Sequence, residues 1–210
     1  LLARLEPLLV KANTVVDLGS ATGASHRQLH KRFPKARLIA VDIARDMLRQ
    51  ARRRKAWLAK TSYVQADACA LPFADESVDV IFSNQMLPWI ADLDALFGEV
   101  ARVLRKGGVF AFASLGPDSL LEIRRAWREV DDGAHVSLFP DMHNLGDGLV
   151  NAGLRDPVLD VDRLAVSYGN SESLMKDLSA VGARNAVAER FSALTGKTRF
   201  QAMITALDAL

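Results

Sequence analysis

Three aspartates, Asp17, Asp42 and Asp67, each close a short apolar run, and the first leads at once into glycines at 19 and 23. A carboxylate at the end of a buried strand accepts hydroxyl or ammonium donors, and a glycine turn lets a ligand lie against bare backbone. Thr14-Val-Val-Asp-Leu-Gly-Ser-Ala-Thr-Gly23 therefore reads as strand, loop and helix start, a place for a nucleotide-like ligand. Asp42, nineteen residues past Gly23, is positioned to accept both hydroxyls of a ribose. Asp67-Ala68 is suited to an adenine amine and a backbone contact to the ring, with Ile43 and Met47 covering the ring faces. The candidate cofactor-binding set is Asp17, Gly19, Ser20, Gly23, Asp42, Ile43, Met47, Asp67, Ala68 and Asn84. Each acid alone reads equally as a cap or loop residue; three at successive strand tips beside one glycine turn make accident a poor explanation.

Spacing separates the ligands that use such turns. A phosphate-gripping loop needs Gly-x-x-x-x-Gly-Lys-Ser/Thr. Gly196-Lys-Thr198 fails that pattern because Phe191 stands where the first glycine belongs. A dinucleotide loop needs Gly-x-Gly-x-x-Gly, and Ala21 occupies its second glycine. S-adenosylmethionine has no phosphate and carries an ammonium, a sulfonium and one carboxylate, so it favours an acid before the loop, which Asp17 supplies.

The elements that must position these residues alternate. Apolar runs at 14–17, 37–43, 62–66, 78–83 and 109–113 read as strands buried on both faces of a parallel sheet. Helices are expected from about Ser25 to Phe33, stopping before Pro34; from Ala44 to about Trp57; and from an Asp92 cap to Leu104, closed by Lys106-Gly-Gly108. Beyond the fifth strand the reading is a helix over 117–130, an irregular piece over 131–144, a helix over 147–152, a strand-like 158–168, and helices over 171–182 and from 185 onward. Residues 5–9 read as a short helical lead-in. The fold class is α/β, a doubly wound, mostly parallel Rossmann-like sheet with helical additions after strand five. It is expected as one domain over 1–210, with a substrate-side helical insertion around 115–150.

Half of the 210 residues are hydrophobic and a quarter are charged, which suits a globular core and argues against disorder. No apolar run approaches the roughly 20 residues that span a bilayer. The single cysteine, Cys69, allows no internal disulfide and fits a reducing cytoplasm. No charged-then-apolar leader opens the chain, which begins Leu1-Leu2-Ala3-Arg4 without methionine, so a preceding segment is expected. Net charge is +2, yet residues 24–60 hold twelve Lys/Arg against two acids. That basicity reads as a solvated helix face or as a landing patch for an acidic partner. His26 and His30, four apart on a helix, have metal-ligand spacing, but no acid or cysteine ligand accompanies them, so no metal is expected.

Val-Val-Asp-Leu-Gly-Ser-Ala-Thr-Gly, with Val41-Asp42, Asp67-Ala68 and Leu104-Arg-Lys-Gly-Gly108, resembles the class I S-adenosylmethionine-dependent methyltransferases, whose loops usually carry a glycine where Ala21 stands. Ser83-Asn84-Gln-Met-Leu-Pro-Trp89, Leu115-Gly-Pro-Asp-Ser-Leu-Leu-Glu-Ile-Arg-Arg-Ala-Trp127 and Val130-Asp-Asp-Gly-Ala-His135 with Phe139 narrow the likeness. Together with Asp141-Met-His-Asn-Leu-Gly-Asp147, Gly153-Leu154 and the stretch 177–185, they are similar to the malonyl-acyl-carrier-protein O-methyltransferases of biotin synthesis, the BioC family. That family's pattern normally begins with an N-terminal helical segment over the cofactor and finishes with a strand that would lie beyond Leu210.

The resemblance implies S-adenosylmethionine as cofactor and a malonyl thioester, on acyl carrier protein or coenzyme A, as substrate. It implies neither nucleic acid nor membrane as partner and leaves the oligomeric state open. A malonyl carboxylate is already ionised at neutral pH and needs no general base, which agrees with the absence of a recognisable catalytic triad. His135 is the candidate to orient that carboxylate, with Arg124 and Arg125 as alternatives. Trp89 and Phe139 are candidate pocket walls, while Trp127 reads first as a core residue. Two other readings stay open: a related respiratory-complex assembly factor linked to arginine hydroxylation, and a non-catalytic cofactor-binding module. A nucleic-acid methyltransferase is disfavoured, since Asn84-Gln-Met-Leu stands where Asn/Asp-Pro-Pro-aromatic belongs.

Overall fold

The computed structural model describes residues 1–6, 10–54, 60–183 and 195–210. A short helix α1 (Leu2–Leu5) precedes strand β1 (Thr14–Leu18), helix α2 (His26–Arg32), strand β2 (Arg37–Asp42), helix α3 (Arg45–Arg53), strand β3 (Thr61–Gln65) and strand β4 (Val78–Asn84). A 3-10 turn (Leu87–Trp89) leads to α4 (Leu93–Val103) and β5 (Leu104–Ala113), followed by α5 (Leu121–Arg128), α6 (Met142–Asn151), α7 (Ser171–Ala180) and α8 (Lys197–Asp208). The expected lead-in at 7–9, the helix end at 55–57 and the start of the last helix at 185 lie outside the described residues.

All five strands run parallel in the order β3-β2-β1-β4-β5, the doubly wound sheet expected. The order reverses between β1 and β4, so the loop after β1 opens at the topological switch point, where such sheets take ligands. Val15, Val16, Leu18, the run 38–41, Val80, Ile81 and Phe82 are all buried, as strands covered on both faces require. One cluster joins Leu5, Leu29 and Phe33 to Val15, Leu38, Val80 and Phe82. Each such side chain contributes roughly 1.5–3 kcal/mol when fully buried. Phe97 of α4 packs edge-on against Phe110, itself stacked on Phe112 at 5.0 Å. Asp92 caps α4 by accepting from the Ala95 N–H at 2.9 Å.

The residues form two compact units, Leu1–Ser114 with His143–Val158, and Leu115–Met142 with Leu159–Leu210. The second has its own core, where Ile123, Ala126 and Trp127 of α5 meet Met203, Ile204 and Leu207 of α8. Ser171, at the start of α7, donates from both N–H and Oγ to Asp208 Oδ1.

Four expectations change. Lys106-Gly-Gly108 does not cap α4; Leu104 already has extended geometry, and Gly107, at φ +77°, lies in β5, where pairing jumps from Val78↔Leu104 to Val80↔Val109. The glycine thus serves a bulge, because the chain passes from helix to strand without a turn. The helix expected over 117–130 shortens to α5, because Leu120 takes a left-handed φ of +56° that breaks it. The helix expected over 147–152 begins earlier, at Met142. Residues 158–168 form no strand; Val158, Leu164 and Val166 are exposed, and apolar alternation without a ladder partner does not make one.

Candidate functional site

The loop after β1 is built by hydrogen bonds to β2. Gly19 and Ser20 both donate to the Val41 carbonyl, at 2.9 and 3.0 Å, and Gly23 donates to the Ser20 carbonyl at 2.8 Å. Folding the loop onto its neighbour this tightly needs left-handed backbone at Gly19 (φ +73°), Ala21 (φ +44°) and Gly23 (φ +77°). A Cβ on Gly19 would lie 2.6 Å from Met86, which follows β4, so the loop floor is shaped from both sides of the switch point.

Asp42 does more than offer a free carboxylate. Its Oδ2 accepts from the Ala21 N–H and its Oδ1 from the Ala44 N–H, both at 2.8 Å. One side chain thereby pins the loop centre to the start of α3, and each oxygen keeps a further acceptor lobe. Ile43 and Met47 stand exposed beside it, apolar surface at the rim of the site. Gln65 ends β3 opposite Asp42, and its amide donates to the Ile43 carbonyl at 3.1 Å. Asp67 then closes a tight turn, Oδ1 accepting from Cys69 N–H at 2.9 Å, with Ala68 buried beneath. Burial, the charges of Asp67 and Asp92 and a bond to Asp67 push the Cys69 thiol up. Asn84, exposed, ends β4, and Trp89, 53% exposed, ends the 3-10 turn beyond it.

Asp17 is 2% exposed, and its Oδ2 lies 3.4 Å from Nε2 of His26, itself nearly buried. Neither atom has a hydrogen-bond partner among the described residues. Burial pushes the Asp17 carboxyl above the usual carboxylate range; the contact with His26 pulls it down, and the charge of Asp42 adds to the rise. Ser20 Oγ and Ser83 Oγ are also buried without partners. The sequence marked Asp17 but missed His26, Met86 and Gln65. His26 and His30 turn apart, the first to Asp17 and the second to Thr61 Oγ1 at 2.8 Å.

The structure thus brings together Asp17, Gly19, Ser20, Gly23, Asp42, Ile43, Met47, Asp67, Ala68 and Asn84 at neighbouring C-terminal strand ends of one sheet. His135 belongs to the other unit. Its ring stacks on Trp127 at 3.7 Å, and its Nε2 contacts Asp131 Oδ1 at 2.7 Å. Asp131 also accepts from Gly133 N–H and pairs with Arg199. Burial raises the Asp131 carboxyl, but these donors outweigh it and hold it below the ordinary range. Arg124 donates to the carbonyls of Pro117, Ser119 and Ser137, bracing the chain around α5. Trp127 and Phe139 are buried.

The methyltransferase-domain family matches residues 16–112. A malonyl-acyl-carrier-protein O-methyltransferase of Xylella fastidiosa (strain M23) is 43% identical over 93% of this chain and 66% of its own length. One from Nitrosospira multiformis is 38% identical over 100% of this chain and 74% of its own. The chain therefore spans about two thirds to three quarters of the curated relatives it matches. Among solved structures, the YcgJ protein of Bacillus subtilis superposes with a TM-score of 0.67 at 20% identity, over 98% of this chain and 80% of that one, a likeness of fold.

Proposed function

Because the chain belongs to the malonyl-acyl-carrier-protein O-methyltransferase family, we propose that it methylates the free carboxylate of a malonyl group held as a thioester on acyl carrier protein, with S-adenosylmethionine as methyl donor. Within the chain, the observation that carries this reading is the row Asp17, Asp42 and Asp67 at three adjacent strand ends around a left-handed loop.

The residues fit the cofactor. No Lys or Arg lies between residues 14 and 24, as a ligand without phosphate allows. Asp17 is a desolvated anion suited to an ammonium, Asp42 retains acceptor lobes for ribose hydroxyls, and the orphaned hydroxyls of Ser20 and Ser83 can satisfy further polar groups. When bound, S-adenosylmethionine supplies an electrophilic methyl group on sulfur. The chain's own task is to bind, aim and exclude water. A carboxylate with a pKa of about 4 arrives ionised at neutral pH, so no residue has to accept its proton. Ile43, Met47 and Trp89 are exposed apolar side chains near these strand ends, available to wall off solvent.

His135 enters as an orienting group for the substrate carboxylate on chemical grounds. With Nε2 directed to Asp131, it donates to an anion only through Nδ1, which requires the imidazolium. His135→Gln should therefore lower kcat/KM for the malonyl thioester and leave S-adenosylhomocysteine affinity unchanged; an unchanged kcat/KM would remove the role.

The test of the whole reading is mass analysis of malonyl carrier protein after incubation with the chain and S-adenosylmethionine. A gain of one methylene, reversed by esterase, is expected. Cofactor binding with no product would sink the transfer and favour a non-catalytic module.

A further inference from the structure

We propose that His26 is a positioning residue for the cofactor-binding carboxylate: its imidazolium is the counter-charge of Asp17 in the ligand-free protein, and it gives up a proton when a cationic ligand head takes that place. The inference rests on the cofactor reading above.

His26 is the first residue of α2, and its ring folds back under the glycine loop. A Cβ on Gly23 would come within 2.7 Å of both Nδ1 and Cε1, so the ring occupies the space that this glycine leaves. Nε2 points at Asp17 Oδ2, 3.4 Å away. The groups that face the ring or the pair are Asp17 on β1, Asp42 on β2 and Tyr63 on β3, whose ring centroid is 6.0 Å from that of His26; Arg52 on α3 acts on Tyr63. Tyr63 is itself turned to the Ala51 carbonyl, and Asp42 to the N–H groups of Ala21 and Ala44. No described Lys or Arg forms an ion pair with Asp17, which leaves His26 as the side chain able to balance that charge.

A buried carboxylate stays ionised only beside a compensating cation. When an ammonium group reaches Asp17, two cations would share one anion in a desolvated place, and the weaker-held proton departs. It leaves from Nδ1, on the ring edge beside Gly23, while Nε2–H keeps its direction toward Asp17. One proton goes to solvent for each ligand bound, and charge balances: imidazolium, carboxylate and ammonium become imidazole, carboxylate and ammonium. The bound form holds fewer protons, so affinity rises with pH through the imidazole range and levels off above it.

S-adenosylhomocysteine carries the same ammonium with no methyl group to transfer, so its binding tests the inference apart from catalysis. Calorimetry at about pH 5, well below the ordinary imidazole value of about 6.5, in two buffers of different ionisation enthalpy should show net proton release on binding, and Kd should fall up to tenfold per pH unit toward neutrality. His26→Gln, which keeps a donor but does not titrate, should remove both effects, while His30→Gln should keep them. Independently of any variant, the His26 ring resonances of the wild-type protein should titrate at lower pH when saturated with ligand. Equal heats in both buffers, a proton release that survives His26→Gln, or an unmoved His26 titration would overturn the inference and leave the cofactor reading standing. No binding by the wild-type protein would remove both.

Discussion

Ala21 and Gly19 both use left-handed backbone, but their surroundings differ. Ala21 is exposed, so its methyl group meets no packed neighbour, whereas Met86 lies directly over Gly19. A non-glycine residue in that region costs about 1–2 kcal/mol, and glycine's extra chain entropy returns roughly 0.5–1 kcal/mol of it. Ala21→Gly should therefore stabilise the fold by no more than about 1.5 kcal/mol and leave S-adenosylhomocysteine affinity unchanged; a large affinity gain would show that the methyl group obstructs the site. Gly19→Ala adds overpacking to strain and should cost about 2–5 kcal/mol in denaturant unfolding. Adding Met86→Ala should recover the overpacking part only, and full recovery would contradict the backbone argument. The acids and glycines of this loop were legible because parallel strands deliver their C-terminal residues to one edge. His26 was not: it was read only for its four-residue spacing from His30, where no metal was expected, while its actual partner comes from a neighbouring strand and leaves no local pattern.

Among elements, the strand ends opposite the loop are tied by one side chain. Asp79 Oδ2 accepts from the N–H groups of Asn13 and Thr14, both at 2.8 Å, and Oδ1 pairs with Arg105 at 2.8 Å. Burial raises the Asp79 carboxyl, but the two N–H groups and the Arg105 guanidinium outweigh it and hold it below the ordinary range. A carboxyl lowered by folding stabilises above its unfolded pKa, about 4, and that contribution is lost as pH falls through the folded value. Asp79→Asn should therefore cost about 1.5–3 kcal/mol near neutrality, the size of a hydrogen bond to a charged group. The difference should shrink in urea unfolding as pH drops below about 4. A penalty constant with pH would mean that shape, not charge, does the tying. Asp79 was read only as a strand residue, since nothing local announces that it gathers β1, β4 and β5. The strands and their parallel type were legible from apolar runs buried on both faces. The 158–168 strand was overread for a related reason, because alternation signals a face to bury without naming the neighbour that buries it.

At the scale of the molecule, cofactor and substrate were legible in different ways. The cofactor follows from chemistry at strand ends; the substrate followed from the segments 84–89, 115–127 and 130–135, whose likeness the 43% and 38% identical relatives bear out across nearly the whole chain. No such motif explains the basic stretch 24–60. In the structure Arg27, Lys31, Lys35, Arg37, Arg45, Arg49, Arg52, Arg53 and Arg54 are exposed, on or between helices α2 and α3, which both pack against β2. Among the described residues, Arg49 is the one of these nine with a carboxylate partner, Asp46. A field of one sign raises the encounter rate with an oppositely charged protein, and salt screens it over about 10 Å at 0.1 M. If the acyl carrier protein is acidic and meets this face, reversing Arg52, Arg53 and Arg54 to Glu should raise KM for the malonyl carrier about tenfold at low salt. It should leave KM for malonyl-coenzyme A within about twofold, since a small thioester does not span a protein-sized field. The carrier effect should fade as salt rises, because the lost interaction is long-range and screened. Unchanged kinetics with the carrier at low salt would make the basic face a solvated surface and place carrier recognition elsewhere on the chain.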